Sequence, residues 1–116
     1  MTRRGWHISR KAGALVLARD LPVRFDVRAS AAFPPARKGR LANQIRQDMW
    51  RALRDLRGFS PVVVVEETAE GLAVTAGGRA ASPFPKARIE ACIAALLASA
   101  AHRRRWLAHA APKETR

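Results

Sequence analysis

Arg46, Trp50 and Arg54 stand four residues apart in a stretch whose apolar residues recur at helical spacing. On a helix such positions line up along one flank. Arg presents a planar, bidentate fork for phosphate, and an indole between two such forks gives a face on which a base can stack. His102-Arg103-Arg104-Arg105-Trp106 repeats the combination near the C-terminus, and Arg3, Arg4, Trp6 and Arg10 repeat it near the N-terminus. Arg46, Trp50, Arg54, Arg103, Arg104, Arg105 and Trp106 are therefore the candidate nucleic-acid contacts, with Arg3, Arg4 and Arg10 accessory. Positive charge at a helix C-terminus also complements the helix dipole. Three consecutive Arg spread around the whole helix and exceed that need.

Other chemistry finds few residues to perform it. His102 and His109 are separated by about 10.5 Å along a helix axis, too far to share one metal ion unaided. Glu66 and Glu67 are neighbours on a predicted strand and point to opposite faces. Cys92 is the single cysteine; it borders an apolar stripe and reads as a small core residue. Gly77-Gly78-Arg79 precedes a helix but lacks the spacing of a phosphate-binding loop. No catalytic residue, metal ligand or cofactor is expected, and no enzyme activity.

The charge balance gives those arginines their meaning. Twenty-two Lys and Arg oppose nine Asp and Glu, a formal net charge of +13 on 116 residues. A domain this positive repels itself, and the excess answers a polyanion, so DNA or RNA is the expected partner. The alternative is a protein-interaction subunit that docks on an acidic partner or forms a homodimer. Ala87, Ala91, Ala94, Ala98 and Ala101 would give it a close-packing helix side. The apolar run from Ala91 to Ala101 is too short for a bilayer, so no membrane association is expected and the setting is taken as cytoplasmic. Thr2 to Arg19 has no acidic residue and imitates a targeting segment, but no small-x-small cleavage site follows. It reads instead as a basic N-terminal arm over residues 1–12 that leads into a strand.

The elements that must position these side chains follow from periodicity. Val23, Phe25, Val27 and Ala29 alternate with polar residues and predict a half-exposed strand, preceded by a short one at Leu15–Leu17 and ended by Pro34-Pro35. Leu41, Ile45, Met49, Ala52, Leu53 and Leu56 form one stripe of a helix over Arg37–Arg57, capped by Gly58. In projection this stripe leaves Asp48 and Asp55 on an exposed flank. Val62–Val65 reads as a central strand, paired through a turn at Ala69-Glu70-Gly71 with Leu72–Ala76 and broken by Gly77-Gly78. Ser82-Pro83 predicts the start of a second helix running to Ala110, with a frayed tail over residues 112–116. The expectation is a single α+β domain. It is a two-layer sandwich of a small, mostly antiparallel sheet in the order strand(s)-helix-hairpin-helix, with two helices on one face.

Gly77-Gly78, Lys86-Ala87-Arg88, Ala91 and Ala94–Leu97 resemble the closing segment of double-stranded RNA-binding domains. That family carries basic residues where Pro83 and Pro85 stand here and has three strands between its helices where two are expected here, so membership does not follow.

Overall fold

The structure, a computed structural model, describes Thr2, Arg3 and residues 5–112, with Thr2 and Arg3 described by their backbone. Its elements are β1 (Thr2–Arg3), β2 (Trp6–Lys11), β3 (Ala14–Ala18), β4 (Val27–Phe33), α1 (Lys38–Ala52), β5 (Ser60–Glu67), β6 (Leu72–Arg79), α2 (Lys86–Ala98) and α3 (Ala100–His109). The strands form one antiparallel sheet in the order β1-β2-β3-β5-β6-β4. This is the two-layer α+β sandwich that the periodicity predicts.

Register fixes which side chains meet the helices. Leu15 lies opposite Val65 and Leu17 opposite Val63. Val63 and Val65 in turn lie opposite Ala76 and Val74, which face Ala29 and Ala31 of β4. These residues, with Val27, Phe33 and Leu72, share one core with Leu41, Ile45 and Met49 of α1, Ile89, Ile93 and Leu97 of α2, and Trp106 of α3. Because side chains alternate along a strand, a one-residue slip would turn this whole set to the other face. The core therefore specifies the register.

Several local expectations are corrected. The basic N-terminal stretch is not an arm: Trp6–Lys11 is a sheet strand, paired with β3 through a two-residue loop at Ala12-Gly13. Both loop residues have positive φ, 44° and 80°, as a type I′ hairpin requires. The strand expected from Val23 begins only at Val27, and Val23 itself is exposed. The segment before it folds by the outer face of the sheet. There Ser60 Oγ donates to Asp20 Oδ2 at 2.6 Å and Arg79 donates to the Pro22 carbonyl. Gly77-Gly78 does not break β6. A Cβ on Gly77 would overlap the Val27 carbonyl and one on Gly78 the Ser60 carbonyl, so glycine lets the two neighbouring strands approach.

The helices also stop where the sequence pattern continues. α1 ends at Ala52, five residues short of the expected Arg57. Beyond it Leu56 N–H donates to Leu53 O and Phe59 N–H to Leu56 O, so the chain tightens into three-residue turns that keep these apolar residues inward. Gly58 lies in these turns rather than at the helix end. The single long second helix is two helices, parted at Ser99, whose ψ of 117° ends α2. Ser99 Oγ then accepts from the His102 N–H and caps α3. α2 itself starts at Lys86, not at Ser82-Pro83, with no side-chain cap. The break lets α3 fold back on α1 and bring Trp106 into the core. Of the expected tail, residues 113–116 lie outside the described residues.

β4 is an edge strand, and its free edge is covered. The Arg28 N–H donates to Glu90 Oε2 at 2.9 Å, and the Ala32 carbonyl accepts from Arg103 Nη2 at 2.8 Å. Side chains of α2 and α3 thus occupy backbone groups that would otherwise invite another strand.

Candidate nucleic-acid interface

The predicted site residues separate into two groups, divided by what accepts from their guanidinium groups. Trp106 is fully buried, so it offers no stacking face to a base, contrary to expectation. Its ring lies 6.3 Å from Phe33 and 5.6 Å from His102, and its Nε1 donates to Asp48 Oδ2 at 2.7 Å. Asp48, expected on an exposed flank, is itself buried. It also receives Arg105 Nη2 on Oδ2, and Arg51 Nη1 on Oδ1 at 3.4 Å. A buried carboxylate needs such partners, and here they clamp α3 to α1. Arg103 is occupied as well. Nη1 donates to Leu97 O at 3.0 Å, Nη2 donates to Ala32 O, and the guanidinium lies 3.9 Å from the Phe33 ring centroid. Arg103 and Arg105 are thus fastened to the fold, although Arg105 remains partly in solvent, and Arg104 is exposed.

The second group lies across the molecule, between β2 and α1. The outer end of the sheet runs past α1 and leaves a groove of about 780 Å³. Its floor is apolar, from Ile8, Leu15 and Leu17, and its walls carry Arg10, Arg40 and Arg46 with Asn43 and Gln44. Among the described residues no carboxylate lines it. Arg10 faces Leu15 across the hairpin, on the helix side of the sheet, and its guanidinium passes over Gly39, where a Cβ would lie 2.9 Å from Nη2. The absent side chain at position 39 makes room for Arg10 beside the first turn of α1. That turn carries no acidic residue, and no side chain caps it. Its dipole end therefore adds positive potential to that of Arg10 and Arg40.

Arg46 is the most constrained cation of the groove. Its guanidinium lies 4.6 Å from the centroid of Trp6, a ring that Arg19 also approaches at 5.6 Å. Nη2 donates to Asn43 Oδ1, while Nε is buried without a partner. Burial pushes its pKa below the usual value for Arg, because desolvation opposes the charge. The group stays protonated and lacks a counter-charge.

Trp50 follows Arg46 by one helical turn on the same flank of α1. It is 47% exposed, and its ring lies nearly parallel to Phe59, at 17° and 6.3 Å between centroids. Arg54 falls beyond the helix end, in the turns before β5, so it does not continue the line of Arg46 and Trp50 as expected. The side chain of Arg3 and all of Arg4 lie outside the described residues. The structure thus brings together Arg10 and Arg46, with Trp50 alongside, and detaches Arg103, Arg105 and Trp106 from them. Reading the sequence for helical lines did not count Arg40 or Trp6 among the contacts, although both line the groove. The signal was present in Trp6-x-Ile8-x-Arg10, whose period of two places all three side chains on one face of a strand.

Cys92, read as a core residue, is exposed on α2. No group of three His, Cys, Asp or Glu among the described residues is placed to hold a metal ion. No described helix is long and apolar enough to cross a membrane. Comparison with family models, curated proteins and solved structures finds no match.

Proposed function

We propose that this protein binds nucleic acid in the groove between β2 and α1, chiefly by Arg–phosphate contacts. The observation that carries the reading is a concave surface walled by Arg10, Arg40 and Arg46, with no carboxylate on it and an unpartnered Nε on Arg46. Elsewhere three carboxylates are paired with basic residues: Asp26 with Arg24, Glu67 with Lys38, and Asp48 with Arg51 and Arg105. Arg10, Arg40 and Arg46 are in none of these pairs, and they converge on one concave surface. A phosphate chain is the anion that suits three guanidinium groups spaced along one channel, each able to take two oxygens. The net charge of +13 favours the encounter.

Fluorescence anisotropy of labelled DNA and RNA oligonucleotides tests this. Wild type binds at low salt and weakens steeply as salt rises, because each neutralised phosphate releases counterion. The triple variant Arg10→Gln, Arg40→Gln, Arg46→Gln loses most of that binding while keeping its circular dichroism spectrum. Binding that persists in the triple variant, or no binding by wild type at low salt, refutes the groove as the interface.

A further inference from the structure

The groove's apolar lining and its continuation at Trp50 bear on the strandedness of the nucleic acid, an inference that rests on the groove being the binding site. Duplex DNA or RNA presents phosphates on a convex surface with the bases stacked inside. Affinity for it comes from contacts to the outer phosphates and from an element entering a groove of the duplex. The accessible apolar groups of the groove between β2 and α1 are Trp6 and Ile8, with Leu15 and Leu17 buried beneath them. A phosphate backbone gains nothing from those apolar groups. A ligand with flat apolar faces beside its phosphates does.

Trp50 adds an independent observation. Its ring is held nearly parallel to Phe59 and remains half exposed, so an indole is backed on one side and open to solvent. Exposed Trp carries an unfavourable apolar surface, which a stacked base would cover. It stands one turn along α1 from Arg46, about 6 Å by the helix rise. A chain whose phosphates meet Arg46, Arg40 and Arg10 thus has a base platform at the Trp50 end. Unstacked bases reach such a platform, and paired bases do not.

We infer that the preferred ligand is single-stranded nucleic acid, with phosphates on Arg10, Arg40 and Arg46 and one base stacked on Trp50. The apolar floor and a lone platform read no base identity, so the site tolerates sequence. The RNA 2′-hydroxyl has only Asn43 and Gln44 as amide partners on the groove walls, and Asn43 Oδ1 is already engaged by Arg46.

The test compares a single-stranded oligonucleotide with a blunt duplex of the same length and sequence, read by anisotropy and by intrinsic Trp fluorescence. The single strand is expected to bind at least tenfold more tightly and to quench part of the Trp emission. Trp50→Leu should lose that quench and weaken single-strand binding by roughly 5- to 150-fold, the range for one lost base stack, while duplex binding stays as it was. Trp50→Phe should recover most of the affinity. Equal or tighter binding of the duplex overturns this inference and leaves the groove reading standing, provided that the Arg10, Arg40 and Arg46 variant still abolishes it. Single-strand binding unaffected by Trp50→Leu overturns the platform. Failure of both ligands to bind at low salt overturns the groove reading, and this inference with it.

Discussion

Trp106 and Trp6 both stand beside Arg, and their surroundings differ. At Trp106 the indole is buried and its Nε1–H, with Arg105 and Arg51, converges on the buried Asp48. At Trp6 the indole is half buried beside Arg46 and Arg19, with no carboxylate on the groove that the ring borders. The residue types are the same, and the acceptors differ. Where a carboxylate and two backbone carbonyls take up the guanidinium hydrogens, arginine fastens one helix to another. Where no carboxylate is near, the same group keeps its charge uncompensated, and on the proposed reading it meets a ligand. Composition therefore says little about an arginine until its acceptors are counted.

Removing the acceptor should break the comparison most visibly. Asp48→Ala leaves the Trp106 Nε1–H buried without a partner and costs about 3 kcal/mol of stability, read as a lower midpoint in urea unfolding. Nucleic-acid binding by the folded fraction should remain as in wild type. A variant of normal stability would show that Asp48 does not hold the clamp.

An exchange of roles sharpens the same contrast. Arg103→Ala should lose about 1–2 kcal/mol of stability through its contacts with Leu97, Ala32 and Phe33, with binding unchanged. Arg46→Ala should do the reverse, weakening oligonucleotide binding about tenfold with a stability change under about 1 kcal/mol. If both variants lose binding equally, the division between fastened and available arginines is wrong.

Salt dependence counts the available group. Three phosphates neutralised on a single strand give a slope of about −2 in log K against log salt, and each groove Arg removed should reduce it by about 0.7. A slope unaffected by Arg40→Gln would place that residue outside the contact.

The smallest effect concerns an arginine paired at the surface. The Ala80 N–H and Arg24 hold the Asp26 pKa below the ordinary carboxylate value of 3.8. A depressed folded-state pKa contributes stability at pH values above 3.8 that is lost as pH falls through the folded-state value. Asp26→Asn should therefore lower stability slightly at pH 7 and flatten the acid limb of the stability profile between about pH 5 and 2, as urea unfolding across that range would show.

The fold was largely legible because its main signals are periodic. The stripe through Leu41, Ile45 and Met49, the four valines of β5 and the return at Leu72 each bury one repeated face. What misled was punctuation. Gly77-Gly78 reads as a break, yet close strand approach requires it within β6. Ser99 reads as a minor interruption of an Ala-rich helix, yet it caps a new one. That one residue decides the site, because the redirected α3 turns Trp106 inward to Asp48. A helix continued straight would have carried Arg103 to Arg105 into solvent, which is why the sequence ranked them beside Arg46. The groove was half legible. Arg46 and Trp50 lie on a recognisable helix flank, but Arg10 and Trp6 join them only through the β2–β3 hairpin, a pairing that local sequence does not state.

Arg10, Arg40 and Arg46 line a groove with no carboxylate among the described residues, while Arg103 and Arg105 are held by backbone carbonyls and by Asp48, and Arg side-chain Nε–H resonances test this division directly. Titrating ¹⁵N-labelled protein with a single-stranded oligonucleotide should shift the Arg46 Nε–H signal strongly, with those of Arg10 and Arg40, and slow its exchange with water. The Arg103 and Arg105 signals should stay in place. Shifts concentrated on Arg103, Arg104 and Arg105 with Arg46 unmoved would contradict the account.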